Sequence, residues 1–132
     1  MLRDRIKKYF LDEEKNCAEA TLCAANDEYG LGLGAESMEI MRGFGGGMGC
    51  ESVCGALSGS IAVLGRVCAE LEKDELYDVC EAYVHEFEAR LGCAMCAELK
   101  PRYKKEDVRC YELLLMNADL LDETVKRLKA DE

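Results

Sequence analysis

The chain has 132 residues, 49% apolar and 33% charged, with nine cysteines and a formal net charge of −10. That length and balance suit one soluble globular domain, 1–132, with enough core to fold without covalent staples. The acidity argues against nucleic acid or an anionic membrane as partner, because both require a basic face.

The opening residues, Met1-Leu2-Arg3-Asp4-Arg5-Ile6-Lys7-Lys8, contain no apolar signal-peptide core. The longest nearly uncharged run is interrupted at Arg66, too soon for a membrane span. The expected location is therefore cytoplasmic. There, an odd number of cysteines speaks for redox or metal chemistry rather than a disulfide framework.

Taken in chain order, helical periodicity dominates and period-2 alternation is nowhere sustained. Leu2, Ile6, Tyr9 and Phe10 mark a short first helix. Asn16 is a good N-cap for a second, with Glu19 as its capping-box partner, running to about Tyr29 and ended by Gly30, Gly32 and Gly34. A third helix over about 35–42 carries Met38 and Met41. A fourth, over about 52–71, has the stripe Leu57, Ile61, Leu64, Cys68 and Leu71, and a second face of Gly55, Gly59 and Ala62 that would admit a close neighbour. The fifth shows Leu76, Val79, Cys80, Tyr83, Val84, Phe87 and Leu91 on one face. Breaks are expected at Gly92 and around Pro101, followed by a last helix over about 107–129 with Asp107 as its N-cap. The expected fold is all-α: a small bundle of about five to six helices, with a glycine-rich loop leading into the central one.

That loop is the most distinctive stretch. Gly43-Phe44-Gly45-Gly46-Gly47-Met48-Gly49-Cys50 is a backbone no regular element would hold, and it leads to Cys54 at an expected helix start. A helix N-terminus favours negative charge, so a lowered thiol pKa is expected there. Cys23, Cys68 and Cys80 read as buried hydrophobes, whereas Cys17, Cys50, Cys54, Cys93, Cys96 and Cys110 fall at irregular or helix-starting positions. Met38, Met41, Met48, Met95 and Met116 read as core or gap-filling residues, and His85 as solvated.

Three motifs then line up: Asn16-Cys17-Ala18-Glu19-Ala20, Gly43-Phe44-Gly45-Gly46-Gly47-Met48-Gly49 and Cys54-Gly55-Ala56-Leu57-Ser58-Gly59. With Cys96 and Cys110 downstream, the chain resembles a family of redox-active proteins named for cysteines around a Cys-Gly-Ala-x-x-Gly motif. The resemblance implies a small, mostly helical, redox-active protein with four recurring cysteines: Cys17, Cys54, Cys96 and Cys110. Cys50 and Cys93 are additions to that pattern.

Two chemistries remain open. In the first, a thiol–disulfide oxidoreductase or carrier needing no cofactor, Cys54 attacks and Cys17, Cys96 or Cys110 resolves the mixed disulfide. In the second, thiolates hold Zn or an iron–sulfur cluster, with Cys50, Cys54, Cys93 and Cys96 as ligands and the N–H groups of Gly45, Gly46, Gly47 and Gly49 turned toward sulfur. The partner would be a redox protein or a small thiol, and a homodimer is compatible with either. A non-catalytic helical domain is the weaker third reading. Glycine spacing matches neither a P-loop nor a dinucleotide fingerprint.

Overall fold

The computed structural model describes residues 1–131. They form seven α-helices: α1 (Arg3–Lys7), α2 (Cys17–Tyr29), α3 (Ala35–Ile40), α4 (Gly55–Val67), α5 (Lys73–Leu91), α6 (Cys96–Tyr103) and α7 (Tyr111–Ala130). No strand occurs among the described residues, only isolated antiparallel bridges joining Val53 to Met95 and Lys105 to Arg109.

α2 begins where its cap predicts. The Glu19 amide donates to the Asn16 side-chain oxygen at 2.9 Å, and the Asn16 amide donates to the Glu19 carboxylate at 3.2 Å. Gly30 closes the helix in the left-handed region, at φ 61°. The small face of α4 rests on α2. A Cβ added at Gly59 would lie 2.9 Å from the Ala18 carbonyl oxygen and 3.0 Å from Thr21 Cβ. That approach is available only to glycine, and it brings the two helices close enough to share the site described below.

The core fills the space between α1, α2, α4, α5 and α7 with Phe10, Leu57, Leu64, Phe87, Leu114 and Leu121, all buried. One polar trio lies inside it and is internally satisfied. Tyr83 donates its hydroxyl to Asn117 Oδ1 at 2.6 Å, Asn117 Nδ2 donates to Ser60 Oγ at 2.9 Å, and Ser60 donates to the Ala56 carbonyl at 2.8 Å. These bonds fix α4, α5 and α7 relative to one another. Buried Asp122 accepts from the Leu2 amide at 2.9 Å and from the Tyr29 hydroxyl at 2.6 Å, which anchors the N-terminal segment and α2 to α7.

Several boundaries differ from the sequence expectation. α4 opens at Gly55, not at 52, because the residues before it are clasped in extended form. The Cys54 amide donates to the Ala94 carbonyl at 2.8 Å, and the Cys96 amide to the Ser52 carbonyl at 2.6 Å. α4 also stops at Val67, which leaves Leu71 exposed beyond it. The expected break around Pro101 is the helix α6, with Pro101 inside. The carbonyl left without its proline N–H partner belongs to exposed Ala97, where water can reach it. α7 begins at Tyr111 rather than 107 because Lys105 and Arg109 exchange two backbone hydrogen bonds, each 2.8 Å, around a turn with Arg109 at φ 52°. Of the methionines expected inside, Met41 is buried, but Met48, Met95 and Met116 are exposed, so the packing role fails for those three.

Candidate functional site

Four cysteines stand at helix beginnings. Cys17 is the first residue of α2 and Cys96 the first of α6, while Cys54 and Cys110 are the residues immediately before α4 and α7. The Ser52–Cys96 and Cys54–Ala94 hydrogen bonds hold the starts of α4 and α6 side by side. Two glycines remove the bulk that would push the cysteines apart. A Cβ at Gly55 would sit 3.1 Å from Cys17 Sγ, and a Cβ at Gly47 would sit 2.7 Å from Cys96 Cβ.

Three of the four thiols are raised, and Cys17 acts on each of them. Burial pushes the Cys54 thiol up to about 12, and the next influence is charge on Cys17; the Leu57 and Ala56 amides pull the other way, and Cys96 adds a smaller upward push. Cys96 is raised by burial first and then by Cys17, with Lys100 and Lys104 opposing. Cys110 is raised by burial, then by Cys17 and Cys96, again against Lys104 and Lys100. Cys17 is thus the strongest thiol influence on each of the other three.

This overturns the expected thiolate at the start of α4. The α4 amides do favour charge on Cys54, but its side chain makes no cap hydrogen bond and desolvation outweighs them. Reduced Cys54 is a neutral thiol at pH 7. Exposure separates the cysteines further: Cys54 is buried, while Cys17, Cys96 and Cys110 are half-buried.

Cys50 and Cys93 have local backbone partners. Exposed Cys50 points its sulfur at the Gly47 carbonyl, 3.7 Å away, and the Cys93 sulfur accepts from the Met95 amide at 3.3 Å. Among the described residues, no three His, Cys, Asp or Glu side chains are grouped so as to hold a metal ion, and Cys50, Cys54, Cys93 and Cys96 are not arranged as ligands. Cys23 and Cys68 are buried and Cys80 half-buried, away from helix starts, and His85 is exposed.

The glycine loop makes a left-handed turn: Gly46, Gly47, Met48 and Gly49 all have φ between 61° and 75°. It is closed by the Ser52 amide donating to the Gly47 carbonyl at 2.8 Å. Met48 pays for that conformation about 1–2 kcal/mol, since its Cβ crowds the backbone there. Gly45 packs against the Asn16 side chain and Gly47 against Cys96 and Ser52, whereas Gly46 and Gly49 have open space where a Cβ would be. The loop therefore acts as a spacer between the cap of α2 and the start of α6.

Cations near the site are absent from the residues singled out by the sequence. Residues 100–109 carry Lys100, Arg102, Lys104, Lys105 and Arg109, a concentration of positive charge in an acidic chain. Lys100 and Lys104 are the ones that act on Cys96 and Cys110. Local charge clustering immediately after a cysteine was the available signal.

The family model described as "Putative redox-active protein (C_GCAxxG_C_C)" matches residues 15–124. No curated protein and no solved structure matches the chain. The chain belongs to that redox-active family, and the matched span includes Cys17, Cys54, Cys96 and Cys110.

Proposed function

We propose that this member of the family performs thiol–disulfide exchange through Cys17, Cys54, Cys96 and Cys110, as an oxidoreductase or as a carrier between redox partners. The reading is supported by the influence of Cys17 on each of the other three thiols and by its sulfur lying 3.1 Å from where a Cβ on Gly55, next to Cys54, would be. A thiol that influences the other three suits the resolving role for a mixed disulfide formed on one of them.

The roles follow from exposure and ionisation. Burial raises the Cys96 thiol, but it is half-buried where Cys54 is buried, stands at the start of α6, and has Lys100 and Lys104 opposing the shift, so it suits the attacking position better than Cys54. Cys17 then resolves. Buried Cys54, held protonated, suits a reserve thiol that exchanges with Cys17 internally. A reduced state that gains nothing from a stabilised thiolate is a good electron donor, so the couple is expected to be reducing in character. Nine thiols fit a reducing compartment such as the cytoplasm.

Anaerobic purification with a thiol count before and after mild oxidation tests this. The expected protein is colourless and binds no stoichiometric iron or zinc. Oxidation should remove two thiols within one chain, and Cys17→Ser should abolish that loss. Stoichiometric iron with visible charge-transfer bands would overturn the reading in favour of a cluster.

A further inference from the structure

Beside Cys96 the surface forms an open groove of about 400 Å³, bordered by Ala97, Lys100, Lys104, Lys105, Glu51 and Glu106. Ala97 directly follows Cys96, and Glu51 precedes the Ser52 whose carbonyl accepts the Cys96 amide. Cys96 does not itself line the groove but adjoins it: Lys100, Lys104 and Glu51 border the groove and also act on the Cys96 thiol. Its charges are unequally occupied. Lys100 is paired with Glu51 at 3.4 Å, and Lys105 is paired with Glu112. Lys104 has no ion-pair partner among the described residues, and it is exposed.

We propose that this groove binds a small, carboxylate-bearing disulfide of peptide size and presents its sulfur–sulfur bond to Cys96. The assignment rests on the thiol-exchange reading above and names its substrate class. The volume lies in the range of small-ligand sites. Lys104, which has no ion-pair partner among the described residues, answers a carboxylate, and Glu106 answers a peptide ammonium. An acidic protein is disfavoured as occupant because the whole chain carries −10 and would repel a large surface of the same sign. A small anion meets mainly the local lysine field, since screening removes the rest beyond about 10 Å.

The step balances without a further reactant. The Cys96 thiolate attacks one sulfur of the bound disulfide, forming a Cys96–S–S–R bond and breaking the RS–SR bond. The released thiolate takes up the proton that Cys96 lost. Cys17 then attacks Cys96 Sγ, forming the Cys17–Cys96 disulfide and expelling the second thiolate, which takes up the Cys17 proton. Two protein thiols are oxidised and one substrate disulfide is reduced to two thiols. The reverse sequence reduces the protein.

The test compares oxidation rates of the fully reduced protein by glutathione disulfide, by neutral hydroxyethyl disulfide and by cationic cystamine, in the wild type, Lys104→Gln and Lys104→Arg. The wild type should react fastest with glutathione disulfide and slowest with cystamine, with the preference fading as salt is raised. In Lys104→Gln the ratio of glutathione-disulfide rate to hydroxyethyl-disulfide rate should fall about three- to fivefold, the scale of one exposed charge pair. Lys104→Arg should restore it. Taking the ratio cancels any change in Cys96 ionisation or in fold. Reaction with all three disulfides and no charge preference would overturn the groove assignment while leaving thiol exchange standing. No reaction with any of them would overturn both. A disulfide flanked by a long run of aspartates that outpaces glutathione disulfide would give the groove to an acidic protein segment and overturn the small-molecule assignment.

Discussion

The sulfur of Cys17 lies against the bare Cα of Gly55, so that a methyl group there would come within 3.1 Å of Sγ. Gly55 follows Cys54 and opens α4, so the same glycine admits α2 against α4 and brings a second thiol to the first. The Cys-Gly-Ala step in the sequence is, physically, a way of setting two cysteines from different helices beside each other.

Gly55→Ala and Gly59→Ala therefore separate two effects. At Gly59 the new methyl meets the Ala18 carbonyl and Thr21, both held within α2, so the helices must part. Overpacking of that kind costs about 1–3 kcal/mol, partly offset by the roughly 1 kcal/mol better helix propensity of alanine. Thermal or urea unfolding should show Gly59→Ala as the less stable variant. Gly55→Ala should lose less stability but change the rate at which Cys17 enters a disulfide, measured by thiol quenching over time.

Asn16→Ala removes the capping box of α2 and, with it, the bond from Asn16 Nδ2 to the Arg42 carbonyl at 3.0 Å. A lost cap of this kind costs about 1 kcal/mol, and the second bond carries it toward about 2. A melting temperature lowered by about 4–8 °C is expected. Cys17, the next residue, should also become more accessible to alkylation.

Burial of Cys54 makes stability depend on pH in one direction. Its thiol is raised to about 12 in the folded protein, against an ordinary value of 9.0. The folded state thus favours the protonated form, and its contribution is fully present below about pH 9 and lost as pH rises toward 12. Each pH unit in that window removes at most about 1.4 kcal/mol for this one group. Cys96, Cys110 and Cys23 are raised by burial too and add slope of the same sign. Urea unfolding of the reduced protein between pH 8 and 11 should therefore show a steeper decline in the wild type than in Cys54→Ala.

Alkylation of the native reduced protein should follow exposure and ionisation. Cys50 is exposed and should react first with iodoacetamide at pH 7.5, whereas Cys54, buried with a thiol near 12, should react last. Peptide mass mapping over time gives the order. Early labelling of Cys54 would contradict its neutral, desolvated state.

Much of this architecture was legible before any coordinates. The Asn16–Glu19 pair fixes the start of α2 locally, so its four-residue pattern suffices. Gly55 and Gly59 declare a close contact because nothing but approach explains two glycines one turn apart on a helix. What stayed hidden is non-local. The clasp of Ser52 to Cys96 and of Cys54 to Ala94 delays α4 by three residues, and neither bond leaves a trace in local composition. α6 was lost because Pro101 reads as a breaker, although its missing donor costs little where the orphaned carbonyl faces water. The ionisation of Cys54 is likewise not legible locally. A helix start is visible in sequence, but the burial that outweighs it is set by the folded packing around Cys54.

Disulfide mapping tests the central claim most directly. The reduced protein would be oxidised briefly with limiting glutathione disulfide, alkylated, digested and analysed without reduction. The account predicts that the first intramolecular cross-link joins Cys17 to Cys96, followed by exchange onto Cys54. A first cross-link that leaves Cys17 free, such as Cys50 to Cys93, would contradict it.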